Sequence, residues 1–319
     1  VVLVILMIMA SATIPRLRPM ADRSRTREAS RSVHLAVDSA RNLAMTTGRS
    51  CGVMIERLPS NTSCAMTLTQ VETPPPYAGD SLTSGGTVTL TSTDNYYYYV
   101  RFAFLTSVDG SLAPPLVNTG DLIQFNFQGP WYTITSIAGG SLGAQVVRSQ
   151  VQNIPWTATA SSSPVPYKIM RRPVKSAAAA LQLPSPAVID LTASGTDAAQ
   201  GSIPACWGGG GETQPLVILF SPNGSVDRVY YESYNVQVTQ PIYLLVGKID
   251  GVNPLAGGVA NVADLNSVWV AINPATGLVI TTDMDSTSDP NLSAAEKADS
   301  TGLSAGRHFA RQSDAMGGK

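Results

Sequence analysis

VVLVILMIMASATIPRLRP (residues 1–19) is the stretch on which the reading of this chain turns. It runs from Val1 to Ile14 without a charge, meets Pro15, and becomes basic at Arg16 and Arg18. Three readings compete for it. A core helix would have to bury an apolar surface on every side. A signal-peptide h-region suits the length, and Ala10-Ser11-Ala12 offers a small-residue cleavage site. A membrane helix needs more: at 1.5 Å per residue these positions cover about 21 Å, against a hydrocarbon core of roughly 30 Å.

The residues that follow decide between them. From Arg16 to Thr47 apolar residues recur at helical spacing, and Val33, Ala36, Val37, Ala40, Leu43 and Ala44 form one narrow stripe. Arg23, Arg25, Arg27, Arg31, Asp38 and Arg41 take the opposite side, and Gly48 stands where a C-cap glycine belongs. A cleaved signal peptide does not ordinarily run on into an amphipathic helix. The pattern predicts one long helix, apolar all round in its first half and lying on a globular head in its second.

Those residues resemble the type IV pilin superfamily, whose helix carries a proline where this chain has Pro15. On that resemblance about seven mature residues and a leader precede Val1, which completes a span of about 21 apolar positions. The chain then reads as N-terminally truncated. The family's cleavage site and conserved glutamate fall on no residue here. "AVDSARNLAMTTGRSCGVMIE" (residues 36–56) is similar to the H-type minor pseudopilins of type II secretion and to related minor pilins. So are "LQLPSPAVIDLTASGT" (181–196) and "LVILFSPNGSVDRVYYES" (216–233). The resemblance implies a non-enzymatic filament subunit with a periplasmic head. Its expected partners are other subunits, the inner membrane and, on the precursor, the prepilin peptidase. Val1, Leu3, Ile5, Leu6, Ala10, Ala12, Ile14 and Pro15 would carry assembly, with small residues permitting close helix approach and proline permitting local bending.

Composition agrees with a β-rich remainder. Charged residues are 13% of 319, about half the usual share, and 27 glycines and 22 prolines punctuate short runs. Cys51–Leu58 alternates as a strand, Pro59-Ser60-Asn61 turns, and Ala65–Val71 reads as the next strand. Residues 73–167 read as an inserted all-β module built on runs such as "YYYYVRFAFL", "DLIQFNF" and "WYTITSI". Beyond it, Pro222-Asn223-Gly224 joins Leu216–Phe220 to Val226–Tyr231, and Gly277 closes a turn that begins at Pro274.

The chemistry-bearing residues are few. His34 and His308 have no motif partner, no Gly-x-Ser-x-Gly elbow occurs, and Gly208–Gly211 lacks the Lys-Ser/Thr of a phosphate loop. No cofactor is expected. Cys51, Cys64 and Cys206 leave the disulfide state open. A turn near Ser60 would set Cys51 opposite roughly position 70, away from Cys64. Asp283, Asp285, Thr287 and Asp289 space oxygens like the start of a Ca²⁺ loop, but Ser288 and Ala294 replace its glycine and glutamate. Tyr96–Tyr99, Trp131 and Tyr132 are read as strand core, with a stacking platform as the alternative. A net charge of −1 gives no field for nucleic acid, and the tail's Arg307, Arg311 and Lys319 are thin support for DNA binding.

The expected class is therefore α+β: a long N-terminal helix packed on an antiparallel β head. The helix takes 1–47, with 1–14 as its transmembrane part. The head takes 48–72 and 168–282, the insertion 73–167, and a flexible polar tail 283–319. The expected function is a subunit of a pilin-like filament. A β-rich surface- or carbohydrate-binding protein and a DNA-binding minor pilin are the alternatives.

Overall fold

The computed structural model describes residues 2–79, 84–105, 116–138, 140–148, 151, 153–158, 161–201, 203–209, 211–232, 234–254, 258–284 and 303–315; side chains are described from Asp22 to Gln312 within these ranges. Two compact units emerge, one of Val1–Glu72 with Lys175–Lys319 and one of Thr73–Val174.

In the first unit α1 (Val2–Thr47) leads into β1 (Cys51–Leu58) and β2 (Asn61–Glu72). The second unit carries β3 (Gly86–Thr93), β4 (Tyr97–Phe104), β5 (Leu122–Phe125), β6 (Tyr132–Ala138), β7 (Ser141–Val147) and β8 (Tyr167–Met170). The chain then passes through β9 (Val174–Lys175) and β10 (Leu181–Gln182) to β11 (Ala187–Thr196), β12 (Leu216–Phe220), β13 (Val226–Tyr231) and β14 (Tyr234–Val236). It finishes with β15 (Ile242–Lys248), β16 (Val268–Ile272), β17 (Val279–Asp283) and α2 (Leu303–Ala315).

The expected α+β class is overturned. Strands make up 44% of the chain and helix 17%, so the protein is mostly β, and among the described residues there are only two helices. The packing of the N-terminal helix is described over 22–47 only, and a long pilin-like helix packed on a head is not shown. The physical reason lies in the spacing. Between Cys51 and Asp283 β-branched and aromatic residues alternate in short runs broken by Gly, Pro and Asn, which favours a pleated surface over a helix.

The larger sheet runs β14-β13-β12-β1-β2-β11-β15-β16-β17, with β9 and β10 beside β2, and neighbouring strands such as β1 and β2 or β15 and β16 pair antiparallel. Side-chain alternation splits each strand between two faces. Leu244 and Val246 of β15 join the core beneath α1, while Tyr243 and Leu245 point to a separate cluster with Trp269, Ala271 and Ala310 of α2. On α1, Ala29, Val33, Val37, Ala40 and Ala44 are fully buried, and Ala36 and Leu43 pack beside them. Small residues on this stripe let the helix lie close to the sheet. Gly48 ends the described helix at φ +66°, its N–H bonded to the Ala44 carbonyl at 3.1 Å.

The turn at Gly277 shows why glycine is required there. Its φ is +65°, and a Cβ would collide with the Gly224 carbonyl. Arg41 of α1 fastens both turns, its Nε donating to the carbonyls of Gly224 at 3.2 Å and Thr276 at 3.1 Å.

The second unit holds a six-stranded sheet in the order β3-β4-β7-β6-β5-β8. Phe102, Phe125, Tyr132, Tyr167 and Ile169 centre its core. It extends past the boundary read at residue 167, because Tyr167–Met170 pairs with β5 in full register. Phe127 does not continue β5: it sits at φ +56° and is 53% exposed, so the alternation stops at Phe125.

The tail also departs from expectation. Asp283 ends β17, and Leu303–Ala315 is a helix that buries Arg307 and Ala310 against the sheet. A flexible polar tail across 283–319 is therefore corrected for these residues.

Candidate functional site

No described helix is long and apolar enough to cross a membrane. Val2–Thr47 is continuous helix, but the side chains of Val1, Leu3, Ile5, Leu6, Ala10, Ala12, Ile14 and Pro15 lie outside the described residues. The structure therefore neither gathers nor separates these assembly residues.

The weak calcium candidate is not assembled. Asp285 and Asp289 lie outside the described residues. Asp283 is 3.5 Å from the Arg27 guanidinium, so its neighbour is a cation of α1. Among the described residues no group of His, Cys, Asp and Glu is spaced to hold a metal.

The three cysteines are free. Cys51 faces Glu72 across the β1–β2 hairpin, two positions from the residue expected, and Cys64 faces Asp190 on β11. Burial pushes the Cys64 thiol up to about 11, and the Asp190 charge adds to the shift. Asp190 is itself 2% exposed. It accepts from the Thr192 hydroxyl at 2.6 Å and from Asn261 Nδ2 at 2.9 Å, while Asn261 Oδ1 accepts from the Lys248 N–H. Burial outweighs these bonds and holds the Asp190 carboxyl above the usual range. This network is a joint between β11, β15 and the Asn261 turn.

Two buried arginines are likewise joints. Arg57 donates to the carbonyls of Gln214, Thr62 and Trp207 at 2.8–2.9 Å and ties Trp207 and Gln214 to the β1–β2 hairpin. Arg307 enters from α2 and donates to the carbonyls of Thr196, Ala193 and Ala205, with Cys206 Sγ at 3.6 Å. Arg311 pairs with Asp197 at 3.6 Å. Two of the three tail cations, Arg307 and Arg311, thus have partners within the fold, and Lys319 lies outside the described residues.

The aromatic run of the second unit divides by pleat. Tyr98 and Tyr132 are core, while Tyr97 and Tyr99 share the outer face with ring centroids 6.1 Å apart and planes 48° from parallel. The Tyr99 hydroxyl donates to Asp94. Rings so tilted are cross-face neighbours rather than a flat stacking surface.

The remaining candidate is a polar cleft of about 260 Å³ between α1 and the edge of the larger sheet. Arg27, Ser30 and Arg31 line one wall, and Val268, Thr281, Thr282 and Asp283 the other. Arg27 and Arg31 stand four residues apart and so share a helix face. Thr281 and Asp283 share a strand face with Val279, which packs toward the α1 core. The sequence signal for this cleft was the arginine spacing. Its other wall comes from residues more than two hundred positions away, and no local pattern announces that pairing.

Comparison with protein families, with curated proteins and with solved structures yields no match.

Proposed function

We propose that this chain is a structural subunit of a pilin-like filament, such as a type II secretion pseudopilus or a type IV pilus. It works by helix-mediated association rather than by chemistry. The observation that carries the reading is in the N-terminal sequence: an uncharged Val1–Ile14 and Pro15 run into a segment whose later stripe, Ala29 to Ala44, is buried on a β sheet. Such a segment stores the subunit in the inner membrane with its β-rich part in the periplasm, and in a filament it exchanges lipid for the helices of neighbours. Pro15 supplies the bend at the exit.

The test places a charge in the apolar segment. In the full chain, Ile5→Asp with Ala10→Asp should abolish membrane retention and the chemical crosslinking of one copy to another, because a charge at mid-bilayer costs about 3 kcal/mol. The larger sheet should remain folded by circular dichroism. Retention and crosslinking unchanged by the double substitution would sink the proposal.

A further inference from the structure

Along α1, Arg23, Arg27 and Arg31 recur every four residues, and all three are exposed. The next step of the same row is Leu35, 66% exposed. Like charges at this spacing destabilise a helix by about 0.2–0.5 kcal/mol per pair. Acidic groups that could offset them are mostly committed elsewhere. Asp22 lies 3.8 Å from Lys248, and Asp38 lies beside Arg41 and Asn42. Glu28 makes no ion pair among the described residues. Asp283 meets Arg27 at 3.5 Å across exposed side chains, a contact worth at most about 1 kcal/mol. Arg23 and Arg31 have no acidic partner among the described residues. The row therefore sets local helix stability against a surface on which, among the described residues, Arg27 alone has an acidic partner, with the 260 Å³ cleft opening beside it.

We infer that the row Arg23–Arg27–Arg31–Leu35 and the adjoining α1–β17 cleft form an interaction surface for an acidic helical segment of a protein partner, a neighbouring subunit in the assembly proposed above. The inference rests on that reading for the identity of the partner, though not for its chemistry. Carboxylates at i, i+4 and i+8 of a second helix repeat at about 6 Å per step, as the arginines do. Arginine takes a carboxylate through two parallel N–H donors. Leu35 selects protein over nucleic acid, since an exposed apolar side chain in line with the cations gains burial against a helix and nothing against a phosphate backbone.

The experiment uses the full chain in a nonionic detergent. The probe is a labelled helical peptide with glutamates at i, i+4 and i+8 and a leucine one step further, titrated by fluorescence anisotropy at low and physiological salt. Binding should weaken as salt rises and fall at least tenfold in the triple variant R23Q/R27Q/R31Q. The triple arginine-to-lysine variant should keep part of the affinity, and Leu35→Ala should weaken it less than the triple neutralisation does. No peptide binding, or binding untouched by neutralisation, overturns the inference. So does duplex DNA binding tighter than the peptide through the same arginines. Copy-to-copy crosslinking is followed in parallel. Crosslinking without peptide binding fails this surface alone, and peptide binding without crosslinking fails the filament reading alone.

Discussion

Replacing Arg307 by alanine isolates what holds α2 to the sheet. Arg307 is 3% exposed, and its guanidinium donates to three carbonyls, those of Thr196, Ala193 and Ala205, and lies 5.7 Å from the Tyr243 ring centroid. Among the described residues no carboxylate pairs with it, so carbonyl dipoles and the Tyr243 ring answer its charge. Removing a buried guanidinium that donates to three carbonyls through its two terminal nitrogens, with Nε left unpartnered among the described residues, costs about 3–5 kcal/mol. The Ala205 carbonyl keeps the Thr196 N–H at 3.0 Å, which sets the estimate toward the lower end. Against this, α2 offers little apolar anchorage: Ala310 is its fully buried apolar residue, Leu303 is partly buried, and Gly306 rests on the Trp269 indole. Their burial is worth about 2 kcal/mol together. The helix should therefore detach before the sheet unfolds, and the loss should be local. Hydrogen exchange should report it directly, with amides of Leu303–Ala315 in Arg307→Ala exchanging at least a hundredfold faster than in the parent while β15 and β16 stay protected. Trp269, fully buried under this helix, should red-shift in emission. Arg307→Lys keeps the charge and not the fork, so it should fall between the two. Protection of α2 within tenfold of the parent would refute the reasoning, since tenfold is only 1.4 kcal/mol.

The same contact predicts thiol behaviour. Iodoacetamide at mildly alkaline pH should modify Cys206, which is partly exposed, before Cys64, which is fully buried with its thiol pushed up to about 11, and Arg307→Ala should accelerate Cys206 alone; mass spectrometry of the labelled peptides decides. Burial raises the Asp190 carboxyl above its unfolded value, so the fold binds that proton more tightly than the unfolded chain does. Its contribution is then fully present below the unfolded carboxylate range and is lost as pH rises through the folded value. Glu56 runs the other way: its bonds to Lys175 and Thr69 lower it, and its contribution, present above the unfolded value, is lost on acidification. Denaturant titrations from pH 3.5 to 7 should therefore show opposite changes of slope in Asp190→Asn and Glu56→Gln, and like-signed changes would count against both assignments. Gly277→Ala should cost about 1–3 kcal/mol through its left-handed φ and the Gly224 carbonyl; a midpoint in urea within error of the parent would contradict the turn geometry.

How far the sequence carried the fold can be followed residue by residue. The hairpin from Leu216 to Tyr231 forms as its Pro-Asn-Gly turn demands, and the stripe from Val33 to Ala44 is buried where period 3.6 placed it. These are short-range signals, and short-range physics settles them. The class did not follow, because a helix read from thirty periodic residues says nothing of how many strands surround it. Arg307 shows the limit most plainly. Its acceptors are backbone carbonyls about a hundred positions away, and a carbonyl has no signature in a sequence. The cleft beside Arg27 was half legible, since the arginine row is local and the β17 wall is not.

The insertion leaves the larger sheet and returns to it at one place. The Ser176 N–H bonds to the Gln70 carbonyl at 2.9 Å, so the strand that departs at Glu72 and the chain that returns at Lys175 are already side by side. A segment of a hundred residues therefore hangs from a gap that a tight turn would close. Seen from the gene, this is a cassette position: the bond from Ser176 to Gln70 asks of whatever fills the gap only that its two ends lie close together.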